Sequence, residues 1–135
     1  MITGSCLCGQ LHYQLDETQA QLAVHCHCRD CQKVTGCGKA TVAALPLDAI
    51  ELFGEHRIYS SRGTDGSHVN RGFCPQCGGQ MLTFVDELPG LVFVKAGTMD
   101  DSDWLVVNAS CWTHSASCWS PVDESIEGYA ANPSI

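Results

Sequence analysis

This 135-residue sequence predicts an all-β domain built mainly of short antiparallel strands. Three observations carry that expectation. Apolar and polar residues alternate along several short segments, Gly and Pro turn signals separate those segments at roughly ten-residue spacing, and no segment holds a long 3.6-residue apolar stripe. In QLHYQL, Leu11, Tyr13 and Leu15 alternate with polar neighbours as in a half-buried strand. Further strands are expected at KATVAAL (39–45), IELF (50–53), HRIYS (56–60), HVNRGF (68–73), QMLTFV (80–85), LVFVKA (91–96) and WLVVNA (104–109). Leu45-Pro46, Gly63 to Gly66, Gly78-Gly79 and Pro89-Gly90 punctuate them. Only RDCQKVT (29–35) and SASCW (115–119) read as short helical turns.

The length fits one domain, residues 1–135, with a core over about 4–120 and a coil over 121–135. At 44% apolar and 16% charged residues the composition is that of a globular chain, not a disordered one. No apolar run approaches the ~18 residues of a membrane span, so no membrane partner is expected. The opening MITGSCLCGQ has neither a basic nor an apolar leader segment, which predicts a cytoplasmic, reducing setting. A net charge of −8 argues against nucleic acid, whose binding needs cationic surface. Nothing in the pattern speaks to oligomeric state.

Ten cysteines are the outlying feature. Disulfides seldom persist in a reducing compartment, so metal binding is the favoured explanation. Seven of the cysteines fall into three tight clusters, CLC (6–8), CHCRDC (26–31) and CPQC (74–77). Cys6 and Cys8 leave an extended segment from one face, and the Cys74–Cys77 turn places two more sulfurs on one ion, with Gly78-Gly79 permitting the tight backbone. These four thiolates make the closed tetrahedral set of a structural zinc.

Cys26, Cys28 and Cys31 form a second set with an odd count. Three protein ligands leave a tetrahedral zinc one open position, the mark of a catalytic site. The competing reading is a closed shell, with Cys37, Cys111, Cys118 or His114 as the fourth ligand and both ions structural in a non-catalytic binding module. Strand alternation turns His25 and His27 to the opposite face from the cysteines. Zinc on three thiolates carries a net charge of −1 and is a poor activator of water, but a thiol entering the vacancy would be deprotonated by the metal. Addition of that thiolate to an aldehyde is the reaction this chemistry suggests. A redox pair formed by Cys111 and Cys118 is a weaker third reading, because their spacing is no motif.

GSCLCG (4–9), CHCRDCQKVTG (26–36) and RGFCPQCGG (71–79) resemble the glutathione-dependent formaldehyde-activating enzyme family, also called the centromere protein V/GFA family; KAGTMDD (95–101) and CWTHSASCW (111–119) add to the likeness. The resemblance implies a zinc-stabilised tent-like β fold and two zinc ions per chain, with Cys6, Cys8, Cys74 and Cys77 on the structural ion and Cys26, Cys28 and Cys31 on the catalytic one. It implies a carbon–sulfur lyase that joins formaldehyde and glutathione as S-(hydroxymethyl)glutathione, so a small thiol and an aldehyde are the expected partners. Ser110 stands where the family often has His, and Cys37 where it commonly has a small non-thiol residue. Six of the seven basic residues lie within 29–71 beside five acids, whereas the rest of the chain has one base and ten acids. An anionic thiol would meet that stretch, and Arg29 and Lys33 are its basic residues closest in sequence to the metal. Trp104, Trp112 and Trp119 are expected in the core, and no spacing places Thr98 or Asp100 at the site.

Overall fold

The computed structural model describes residues 1–133, so residues 134–135 of the expected C-terminal coil lie outside the described residues. The elements in chain order are β1 (Ile2–Ser5), β2 (His12–Leu15), β3 (Leu22–Cys26), α1 (Arg29–Thr35), β4 (Ala40–Pro46), β5 (Ile50–Phe53), β6 (Arg57–Arg62), β7 (His68–Phe73), β8 (Gln80–Val85), β9 (Leu91–Lys95), β10 (Ala109–Cys111) and β11 (Glu127–Gly128). The expected all-β class holds. One sheet has three strands in the order β1-β2-β5, and the other has eight in the order β11-β10-β3-β4-β9-β8-β7-β6. Pairing is antiparallel except where β10 runs parallel to both β3 and β11. Among the described residues no helix is long and apolar enough to cross a membrane.

Alternation along each strand decides which face meets the core. Leu11, Tyr13 and Leu15 of the small sheet pack with Ala43, Leu45, Leu82, Val92 and Val94 of the large one. Fully burying each Leu or Val contributes about 1.5–3 kcal/mol, so this interface is the main cohesive layer. The opposite face of the large sheet carries a smaller cluster in which Val24, Ala109 and Cys111 pack with Cys26, Val42, Trp112 and Tyr129. β1 and β2 are further laced to the 98–100 segment: Asp100 N donates to Thr3 O at 2.9 Å, and Tyr13 and Thr98 share a hydroxyl hydrogen bond of 2.8 Å.

Three local expectations differ from the structure. WLVVNA (104–109) is not a strand until Ala109. Asp101 caps a turn there, accepting from Asp103 N at 2.9 Å, while its carbonyl accepts from Trp104 Nε1 at 2.8 Å. Asn108 then docks the chain on β3, its side chain accepting from Ala23 N at 3.0 Å and its N–H donating to Ala23 O at 2.9 Å. The helical turn expected at 115–119 falls instead at Thr113–Ser115. Within the expected coil, β11 extends the sheet, and Asn132 accepts from Trp112 Nε1 at 2.7 Å. These tail contacts hold Trp112 in the left-handed region at φ +56°, a conformation a bulky residue keeps only when its surroundings impose it. Trp104 packs against the main core and Trp112 against the smaller cluster, but Trp119 is 69% exposed.

Candidate metal centres

The first cysteine set forms where the end of β1 meets the turn between β7 and β8. The Sγ atoms of Cys6, Cys8, Cys74 and Cys77 all lie within 4.8 Å of one another. Cys8 Sγ stands 3.6 Å from Cys6 Sγ and 3.7 Å from Cys74 Sγ. A tetrahedron with Zn–S bonds of about 2.3 Å has S–S edges of about 3.8 Å, so these spacings fit a four-thiolate zinc. Backbone N–H groups orient the ligands: Leu11 N donates to Cys6 Sγ at 3.4 Å and Gln76 N to Cys74 Sγ at 3.3 Å. N–H groups of Cys8 and Gly79 draw the Cys77 thiol down to about 6. Gly79 is tightly packed, since a Cβ there would sit 3.2 Å from Cys6 Cβ and 3.4 Å from Cys77 Sγ.

The second set straddles the junction of β3 and α1. Cys26 ends the strand, Cys28 is the helix N-cap and Cys31 lies in the first turn, where its N–H donates to Cys28 Sγ at 3.2 Å. The helix stops after Thr35 because Gly36 adopts φ +69° and returns its N–H to Gln32 O at 2.8 Å. Gln32 braces the turn, donating from Nε2 to His27 O at 2.9 Å and to Ser115 O at 3.0 Å. The three sulfurs lie within 4.8 Å of one another, and no fourth Cys, His, Asp or Glu among the described residues joins them within that span.

Electrostatics suit this trio to a cation. Thiol hydrogen bonds from Cys26 and Cys31 draw Cys28 down to about 2, with the charge of Arg71 assisting. Cys26 is pushed up, first by its contact with Cys111, and Cys31 is pushed up by Cys26 and Cys28. A metal ion bound here would displace the protons that the thiols keep.

The residues weighed as a fourth ligand stand apart. Cys37 and Cys118 are exposed thiols outside the cluster, and His114 is exposed and bonded to the Ala130 carbonyl. Cys111 is the register partner of Cys26, but it does not come within the common span of Cys28 and Cys31. His25 pairs with Thr41 Oγ1 at 2.7 Å, and His27 is fully buried, which keeps its imidazole below the ordinary value and neutral.

A cavity of about 510 Å³ is walled by Thr35 of α1, Lys39, Ala40 and Thr41 of β4, Gln80, Lys95 and Thr98; it neighbours the trio through α1 and through Ala40, the register partner of Cys26, and none of the three cysteines lines it. No acid lines it, and Gln80 Oε1 is a buried acceptor without a partner. Arg29 and Lys33 are exposed on α1, Arg29 held by Gln32 Oε1 at 2.6 Å, and neither lines the cavity. The charge of Arg71 acts on Cys28, and Lys95 feels the charges of Cys31 and Cys26. The register places Cys26, Val42, Lys95, Thr83 and Arg71 on one face of the large sheet. Burial is the main influence on Lys95 and holds its ammonium below the usual range, with the charges of Cys31 and Cys26 opposing that shift. Alternation alone puts Lys95 on one face with Leu91 and Phe93, and Arg71 on one face with Val69, but does not bring the two strands together.

A family model described as glutathione-dependent formaldehyde-activating enzyme matches residues 1–115. Among solved structures, a protein of Rhodobacter sphaeroides is similar at 20% identity and a TM-score of 0.58, over 73% of this chain and 88% of that one. At that identity the likeness concerns the fold alone. No curated protein matches the sequence.

Proposed function

Since this chain belongs to the glutathione-dependent formaldehyde-activating enzyme family, we propose that it is a zinc-dependent carbon–sulfur lyase acting in the cytoplasm. Its reaction would add a small, glutathione-like thiol to an aldehyde such as formaldehyde. The observation that carries this reading is the incomplete trio of Cys26, Cys28 and Cys31, with an acid-free cavity walled by their helix and by Ala40, the register partner of Cys26. In this proposal Cys6, Cys8, Cys74 and Cys77 hold a structural zinc, and the trio holds a second. Zinc bound there would lower the pKa of a thiol in the remaining position and present it as the thiolate.

The chain's own residues supply the rest. Cys26, Cys28 and Cys31 fix where the sulfur sits, because one strand end and one helix turn hold them. Lys39 and Lys95 give the cavity positive charge for the carboxylates of a peptide thiol, and Thr35, Thr41 and Gln80 offer hydrogen bonds to its backbone. The cavity exceeds the ~300 Å³ lower bound for small-molecule sites. In the addition, a sulfur lone pair forms the C–S bond while the carbonyl π pair moves to oxygen. That oxygen takes up a proton, balancing the one the thiol lost. Arg29 and Lys33, exposed on α1, remain candidates only for an outer contact with the thiol.

X-ray absorption at the zinc edge, read with elemental analysis, tests the coordination: two zinc ions per chain with an average of 3.5 sulfurs each is expected from four and three. Carbon-13 NMR with labelled formaldehyde and glutathione tests the reaction. Adduct formation no faster than in buffer, with both sites loaded, would overturn the assignment; four sulfurs on both ions would favour a non-catalytic binding module.

A further inference from the structure

We propose that Arg71 and Lys95 are the counter-charges of the vacant position at the Cys26–Cys28–Cys31 trio, so that the incoming ligand is held there as an anion. The proposal rests on the reading that the trio holds zinc, and it deepens that reading by assigning the charge state of what binds.

Both side chains come from strands remote in sequence from the trio, yet they share its face of the sheet. Arg71 is only 7% exposed, and Lys95 is half-buried in the wall of the cavity. A buried cation is costly unless it is paired. Among the described residues neither one pairs with a carboxylate; the two ion pairs there are Met1 with Glu17 and His68 with Glu87. Arg71 has a single neutral partner, donating from Nη1 to Ser61 Oγ at 3.0 Å. The negative charge that justifies burying both residues must come from the trio and its ligand.

Charge counting makes this specific. Zinc on three thiolates is one negative charge overall, and Arg71 and Lys95 supply two positive charges, so the group is short of neutrality by one anion. A neutral ligand such as water leaves that deficit, whereas a thiolate closes it. Two cations also suit the bound thiol's reaction partner, because the oxygen that gains electrons during addition forms beside them. Lys39 differs: it lines the cavity from the start of β4, where the tail of a ligand would lie.

The test uses the full chain loaded with cobalt(II), titrated with 2-mercaptoethanol and read by thiolate-to-cobalt absorption. This probe carries no carboxylate, so the readout concerns the vacant position and not recognition of a peptide. Lys95→Met and Arg71→Met should each weaken the apparent affinity by about tenfold or more, the size expected for losing one nearby charge in a partly buried site. Lys95→Arg and Arg71→Lys should stay within about threefold of the parent, and Arg57→Met, on an exposed β6 residue, should change nothing. Cobalt content and circular dichroism establish folding first. Where a Met variant does not fold, the Gln variant takes its place, keeping reach and a hydrogen bond without charge. Unchanged affinity in folded neutral variants overturns the proposal. So does failure of every neutral variant to fold, which would assign the pair to the fold. Failure of the reading beneath it looks different: the parent protein then takes up one cobalt per chain, and its thiolate absorption does not change as 2-mercaptoethanol is added.

Discussion

Replacing Cys77 by Ser should destabilise the whole chain, whereas replacing Cys28 should leave a folded and inactive one. Cys8 and Cys74, whose sulfurs lie 3.7 Å apart, are 66 residues distant in sequence. Closing a loop of that length costs the unfolded chain about 4 kcal/mol in the chain-entropy model, and a zinc-thiolate centre as a whole is worth on the order of 10 kcal/mol at neutral pH. A domain of this size has only about 5–15 kcal/mol of stability in total. Even the loop term alone, at about 4 °C per kcal/mol, corresponds to a fall in Tm of about 15 °C. Cys26 and Cys31 are five residues apart on one strand-helix junction, so the second centre closes a short loop and adds little in this way. Thermal unfolding followed by circular dichroism, with zinc content measured on the same samples, checks both variants. Equal losses of stability in Cys77→Ser and Cys28→Ser would refute the division into a structural and a reactive centre.

Other outcomes follow from single contacts. Tyr13, 1% exposed, has its phenol pushed up to about 12, chiefly by burial, above an ordinary value of 10. A raised folded value means that stability is complete below pH 10 and is lost as pH climbs toward 12, by up to about 3 kcal/mol. Urea midpoints across that range should show the fall in the parent and not in Tyr13→Phe, which should itself cost about 1 kcal/mol at pH 7 through the lost Thr98 hydrogen bond. In Gly4→Ala, the new methyl would collide with the Tyr13 ring and the Thr98 carbonyl. A loss of about 3 kcal/mol is expected from that overpacking, read as a lower denaturant midpoint. Under a chromophoric chelator at neutral pH, one zinc per chain should leave early with secondary structure intact and the other only as the chain unfolds; simultaneous release would contradict the two-centre description.

Much of this architecture is legible in the sequence. The strands at 50–53, 68–73 and 80–85 match the expected segments residue for residue, since alternation and flanking turns agree there. β1 and β3 escape such reading: ITGS has one apolar residue, and LAVHC runs apolar residues together before its His. The run at 104–108 misleads in the opposite sense, because hydrophobic side chains can fill the edge of a core from a turn, as Trp104 and Leu105 do. The cysteine sets are visible because ligands two or three residues apart converge through local geometry. Arg71 and Lys95 are not visible as a pair until the order β3-β4-β9-β8-β7 is known, and proximity along the chain directs attention to Arg29 and Lys33 instead.

The short stretch from Gly78 to Gln80 serves two places at once. Gly79 abuts Cys6 and Cys77 in the first centre, while Gly78 and Gln80 form part of the cavity wall next to the second. A change at the first centre would thus move part of the cavity wall without touching the trio. On the proposed function, a substitution that loosens the first centre without unfolding the chain should lower turnover while the second site keeps its metal.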